Sequence, residues 1–252
     1  MERNTCTQEI RVRSNAVTIT GDLTIPERAS VVILFAHGSG SSRHSSRNKY
    51  IAAQLNRSGF ATLLMDLLTM QEEREEHFTH HFRFDIDLLS ERLCSAVDWL
   101  STDNSTKNLA IGLFGASTGS AAAISCAAKR PERITSIVSR GGRPDLVPEA
   151  LPKVLCPTLF IVGGFDPQVL VYNEKALQAM HCHREIEIIP GAHHLSEEVG
   201  KLDVVANMAT WWFARHSMMQ FSPSAAQNAR AGKLDPSMLE NRSSLESTGQ
   251  HK

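Results

Sequence analysis

The stretch Gly115-Ala116-Ser117-Thr118-Gly119 sets a serine between two glycines, after the apolar run Leu109 to Phe114 and ahead of the small-residue segment Ser120 to Lys129. A chain that leaves a buried strand and enters a helix through so tight a turn needs small flanking residues, and the turn lifts the serine side chain above the sheet edge. Ser117 is therefore a candidate nucleophile. The amide of Thr118, first in the following helix and helped by the helix dipole, is a candidate donor to an oxyanion. A hydroxyl is a poor nucleophile at neutral pH, so the reading requires a base and a group that orients the base.

Both occur further along the chain. The run Thr158 to Val162 ends in Gly-Gly-Phe-Asp166-Pro, and the run Glu185 to Ile189 ends in Pro-Gly-Ala-His193-His194. Each would deliver its polar residue at the C-terminal end of a strand, where open parallel sheets place their ligands. Taken singly, Asp166 also fits a loop-capping aspartate and either histidine a surface residue. A fourth element is the loop His37-Gly38-Ser39-Gly40-Ser41-Ser42 after the run Val31 to Ala36. Its small residues allow close backbone approach, and Ser39 is the candidate second oxyanion donor. Arg43, Arg140 and Arg143 issue from loops on the same face, and two converging guanidinium groups would hold a carboxylate; pairing with Asp66 or Asp145 is the alternative.

These residues need a scaffold that brings strand ends together. Glu9 to Arg13 and Ala16 to Ile25 alternate apolar and polar residues and predict an antiparallel opening hairpin. Val31 to Ala36 is continuously apolar, as in a strand covered on both faces. Strand and helix then alternate: a helix over Ser45 to Ser58, a strand over Phe60 to Leu64, a helix over Asp85 to Leu100, and strands at Leu109, Ile134, Thr158 and Glu185. Helices are expected over Ser120 to Lys129, Val171 to Met180 and Glu198 to Arg215. The fold class is α/β, a mostly parallel central sheet with helices on both faces. Only Arg140 to Pro157 separates two consecutive strands, too short for a large cap domain. Met70 to Phe82, rich in charge, reads as an exposed loop and a partial cover for the site. Composition after about Ser217 predicts no ordered fold, leaving residues 1–216 as the domain and 217–252 as a disordered tail.

Composition excludes other classes. With 26 Lys and Arg against 27 Asp and Glu, the net charge of −1 favours neither nucleic acid nor an anionic membrane. The strongest apolar run is too short to span a bilayer, and no secretion signal is seen. Five cysteines without a CxxC pair suit a reducing cytoplasm. His77, His80 and His81 fit a solvated loop better than a metal centre, the cluster His181-Cys182-His183 lacks a fourth ligand and reads as surface, and Cys126 reads as a buried inert thiol. No metal is expected.

The stretches HGSGSSRHS, GLFGASTGS, SRGGRPDL, IVGGFDPQVL and PGAHHLSEE resemble the small, lid-poor α/β-hydrolases grouped with dienelactone hydrolases, from the opening strands to the Trp211-Trp212 helix. One position departs: dienelactone hydrolases proper carry Cys within Gly-x-Cys-x-Gly, where this chain has Ser117. The resemblance implies a triad of Ser117, Asp166 and His194, with His194 rather than His193 as the base, and no cofactor. It implies hydrolysis of a small ester or lactone. A thioesterase, peptidase or acyltransferase on the same fold, or a non-catalytic interaction module, are the alternatives.

Overall fold

The computed structural model describes residues 6–217; the predicted tail lies outside them except for its first residue, Ser217, which is buried with its hydroxyl 2.8 Å from that of Ser136 and so belongs with the domain. Eight strands form one sheet in the order β1-β2-β4-β3-β5-β6-β7-β8. β1 (Thr7–Ser14) and β2 (Val17–Thr24) make the antiparallel hairpin expected from their alternation, turning at Asn15 in the left-handed region. β2 pairs antiparallel with β4 (Ala61–Met65). From β4 through β3 (Val31–Ala36), β5 (Ala110–Ala116), β6 (Ile134–Arg140), β7 (Thr158–Gly163) and β8 (Arg184–Ile189), every pairing is parallel.

The continuous apolar runs are explained by the two faces they serve. Every residue of β3, β4, β5, β6 and β7 is buried. Because successive side chains point to opposite faces, Val32 and Leu34 join one core with helices α3 (Ile86–Leu100) and α4 (Thr118–Lys129). Ile33 and Phe35 join the other, with α1 (Ser46–Arg57) and α6 (Lys201–His216). Helix α5 (Pro167–Ala179) packs near β7 and β8 and starts four residues earlier than periodicity suggested, because Pro167 suits the first helical turn, where its missing N–H costs nothing. Among the described residues no helix is long and apolar enough to cross a membrane. The link from β6 to β7 holds only two short 3-10 turns and no cap domain.

One expectation is corrected. Residues 70–82 are not a loop: Met70–Thr79 forms helix α2, followed by a 3-10 turn at Phe82–Phe84. Thr69 accepts from the Glu72 amide at 3.1 Å while the Glu72 carboxylate accepts from the Thr69 amide at 2.7 Å, a reciprocal cap. Glu72 also accepts from Arg92 of α3 at 2.8 Å, and Glu76 pairs with Arg83. Charge obscured this helix because it is held by ion pairs and a cap rather than by an apolar stripe; of its own residues only Glu76 is buried.

Candidate active site

The turn between β5 and α4 holds Ser117 at φ 52° and ψ −122°, a conformation rare outside glycine that requires support from its surroundings. Support comes from packing. A Cβ on Gly115 would lie 2.5 Å from Ser120 Cα, and one on Gly119 would run into the carbonyl oxygens of Ala36 and His37. The elbow is pinned further by the Ser117 amide donating to Arg140 O at 3.1 Å and the Arg143 amide donating to Ser117 O at 3.2 Å.

Three strand ends converge there. Asp166 leaves β7 and His194 follows β8. His194 Nδ1 lies 2.7 Å from Asp166 Oδ2, and Nε2 lies 3.1 Å from Ser117 Oγ. A carboxylate only accepts, so Nδ1 carries the proton and Nε2 presents its lone pair to the serine hydroxyl. The Asp166 side chain is mostly buried and His194 about one third exposed, which leaves the imidazole edge open to a reactant. Gly141 lets the histidine pack tightly, since a Cβ there would meet His194 Nδ1 at 3.3 Å. The neighbouring His193 points elsewhere: its ring pairs with Glu198 at 2.7 Å and lies 5.2 Å from the Phe165 ring.

The two expected oxyanion residues are adjacent. Ser39 N donates to Thr118 Oγ1 at 3.0 Å, and the two hydroxyls lie 2.9 Å apart. The Ser39 amide is thus occupied by the Thr118 side chain, which must rotate away before that amide can serve an oxyanion. His37, not singled out from sequence, holds this loop: Leu67 N donates to its Nε2 at 3.0 Å and its Nδ1 donates to Gly38 O at 3.0 Å. Burial holds its pKa below the usual 6.5, so the ring stays neutral and keeps both roles. Only its position, first in the loop, pointed to it.

For Arg43 and Arg143 the structure shows the carboxylate pairing that the sequence left as the alternative. Arg43 is bound to Asp66, Asp22 and Glu9. Arg143 forms a fork with Asp145 at 2.7 and 2.8 Å and lies over the Tyr172 ring. Carboxylates close in space thus take the donors that a substrate acid would need. Arg140 is buried, donates to Leu195 O at 3.1 Å, and is pushed down to about 10 by burial and by the nearby Arg47. It braces the histidine loop.

A cavity of about 210 Å³ opens beside Ser39 and Thr118. Leu67, Leu68 and Leu89 supply an apolar wall; Glu73, Glu76 and His77 of α2, with Arg83, supply the polar one. The sequence pointed to this segment as a partial cover but not to its helical form, although Thr69-x-x-Glu72 is a helix-start signal. His77 lies on this helical wall and stays exposed to solvent, and among the described residues no group of three or more His, Cys, Asp or Glu is placed to hold a metal.

Known proteins share this architecture. The family model described as dienelactone hydrolase family matches residues 19–210. A dienelactone hydrolase from Anabaena variabilis, solved as a crystal structure, is 50% identical with a TM-score of 0.83, covering 84% of this chain and 99% of that one. Est1E from Butyrivibrio proteoclasticus is 14% identical, with a TM-score of 0.69 over 82% of this chain and 98% of that one, and shares the fold. A Mycobacterium tuberculosis protein named "Putative phosphoribosyl transferase" is 47% identical over 209 residues, 83% of this chain and 46% of that protein. The chain spans about half the length of the curated relatives it matches. With a matched region that runs from the second strand into the last helix, and an elbow serine where three strand ends meet, the chain belongs to the dienelactone hydrolase family.

Proposed function

We propose that the chain is a serine hydrolase of small carboxylic esters or lactones. The observation that carries this reading is the hydrogen-bond relay from Ser117 Oγ to His194 Nε2 and from His194 Nδ1 to Asp166. In the first half-reaction Ser117 Oγ attacks the ester carbonyl while His194 takes its proton. The charge that grows on the carbonyl oxygen is met by the Thr118 amide at the start of α4 and, once the Thr118 hydroxyl turns aside, by the Ser39 amide. His194 then gives its proton to the departing alkoxide, leaving an acyl-enzyme. Water, deprotonated by the same imidazole, attacks the acyl carbon and Ser117 leaves with the proton. Asp166 holds the tautomer and stabilises the imidazolium throughout.

The transferase name of the longer mycobacterial relatives is less well supported for this chain. A phosphoribosyl donor is polyanionic, whereas the cavity beside Ser39 and Thr118 carries Glu73 and Glu76, and Arg43 and Arg143 are paired with carboxylates. The proposal takes the cytoplasm as its setting, supported by the five cysteines without a CxxC pair.

The test is turnover of p-nitrophenyl acetate and labelling by a fluorophosphonate. Ser117→Ala should lose both, with kcat reduced by roughly four to six orders of magnitude. Equal labelling of wild type and variant would remove the assignment.

A further inference from the structure

The cavity beside Ser39 and Thr118 is electrically unbalanced. On its polar wall Glu76 pairs with Arg83 and accepts from the Phe82 amide at 2.7 Å, while Arg83 also reaches His80 Nδ1 at 2.6 Å. Arg43, outside the lining, is shared among Asp66, Asp22 and Glu9. Two guanidinium groups thus face several carboxylates, and both are already engaged. Glu73 lies on the cavity lining; its backbone amide donates to Thr69 O at 2.8 Å, but its carboxylate takes no hydrogen bond and no ion pair among the described residues. The same lining holds Leu67, Leu68 and Leu89, which suit a short hydrocarbon stem. At about 210 Å³ the space lies below the range of roughly 300–1,000 Å³ usual for drug-sized ligands, so it fits a short arm.

We propose that this cavity is the subsite for the acyl arm of the substrate, and that Glu73 selects an arm ending in a cationic ammonium group over a neutral or anionic arm of the same size. The proposal rests on the ester-hydrolase reading of Ser117. It names a substrate class opposite in charge to the one that Arg43, Arg140 and Arg143 suggest when read from sequence alone. The field at Glu73 agrees with it: partial burial and the neighbouring Asp66 and Glu76 carboxylates raise its pKa, the direction expected where negative charge lacks a counterion. A cation on the substrate would relieve that repulsion as it leaves water. Because Glu73 is exposed to solvent, the selectivity it confers is modest and sensitive to salt.

The experiment compares two esters of matched shape, p-nitrophenyl 4-(trimethylammonio)butanoate and p-nitrophenyl 5,5-dimethylhexanoate, in wild type, Glu73→Gln and Glu73→Lys. Glu73 lies outside the Thr69 and Glu72 cap, so neither variant removes it. Wild type should favour the cationic ester by about five-fold in kcat/KM at low salt. Glu73→Gln should reduce that preference, Glu73→Lys should invert it, and about 0.5 M salt should narrow it in wild type. Equal effects of the variants on both esters, or a wild-type preference for the neutral ester, would overturn the subsite while leaving Ser117-dependent hydrolysis of p-nitrophenyl acetate intact. Should wild type cleave no ester, the hydrolase reading fails separately. Saturation-transfer NMR with 4-(trimethylammonio)butanamide then decides the subsite: signal lost in Glu73→Lys supports it, and signal unchanged overturns it.

Discussion

At the scale of single residues, adjacent histidines have separate fates. His194 bridges Ser117 and Asp166, whereas His193 turns to Glu198, so chain proximity does not make them interchangeable. His194→Ala is expected to lower kcat by about 10⁴-fold or more, and His193→Ala to stay within about three-fold of wild type, in steady-state hydrolysis of p-nitrophenyl acetate. The opposite ranking would reassign the base. His37 gives a prediction of another kind. Its folded pKa lies below 6.5 because burial penalises the charged ring. Below pH 6.5 the unfolded chain binds a proton that the native ring excludes, so stability falls with falling pH until the lowered folded value is reached, by at most about 1.4 kcal/mol per pH unit. Urea unfolding between pH 8 and 5 should show this decline, and His37→Gln should flatten it. Some slope should remain, since His216 is also lowered by burial and by His183 and Arg215. An unchanged slope in the variant would mean that His37 titrates normally.

At the scale of elements, α2 is the part of the site made from charge. Its cap and the Glu72–Arg92 and Glu76–Arg83 pairs anchor it, with no apolar face to do so. Such an element is less stable than the core it leans on. Thr69→Ala removes one half of the cap and should cost about 1 kcal/mol locally. Hydrogen exchange across residues 70–79 should then quicken by roughly five-fold, while the global unfolding midpoint barely moves. If the midpoint falls with it, α2 unfolds with the sheet and is part of the cooperative core.

At the scale of the whole molecule, the sheet is clamped between two cores, and α6 closes the one on the α1 side. Trp212 and Phe213 are fully buried there, with Trp212 lying 4.2 Å from His216 and 5.6 Å from His183 between ring centroids. Trp212→Ala should cost about 3–5 kcal/mol in denaturant unfolding, a large share of the stability usual for one domain. Because β3 and β5 carry residues of both cores, that loss should lower the unfolding midpoint of the domain as a unit, read by the same shift in fluorescence and far-UV circular dichroism. Loss of less than about 1 kcal/mol would show that α6 is peripheral.

What the sequence by itself determined follows from local rules. Buried parallel strands read as apolar runs, small residues flank a tight elbow, and polar residues just past strand ends gather on one edge. Ser117, Asp166 and the His193-His194 pair were legible because each carries such a neighbour-encoded signal, and the chain order needed no distances; the choice of His194 within the pair came from the family resemblance. The hairpin at β1 and β2 was legible for the same reason, through its alternation. Other features depended on which side chains meet across the fold. Arg43 and Arg143 look alike in sequence to arginines that bind substrate, but Asp66 lies 23 residues from one and Asp145 only two from the other. Only their placement shows that both are engaged. The amide of Ser39 is occupied by a hydroxyl 79 residues away, a contact that no local pattern encodes. Helix α2 lay between these cases: its cap was written at Thr69 and Glu72, but its position as a cavity wall came from ion pairs with Arg92 and Arg83, because charge pairing is decided by geometry and hydrophobic periodicity is not.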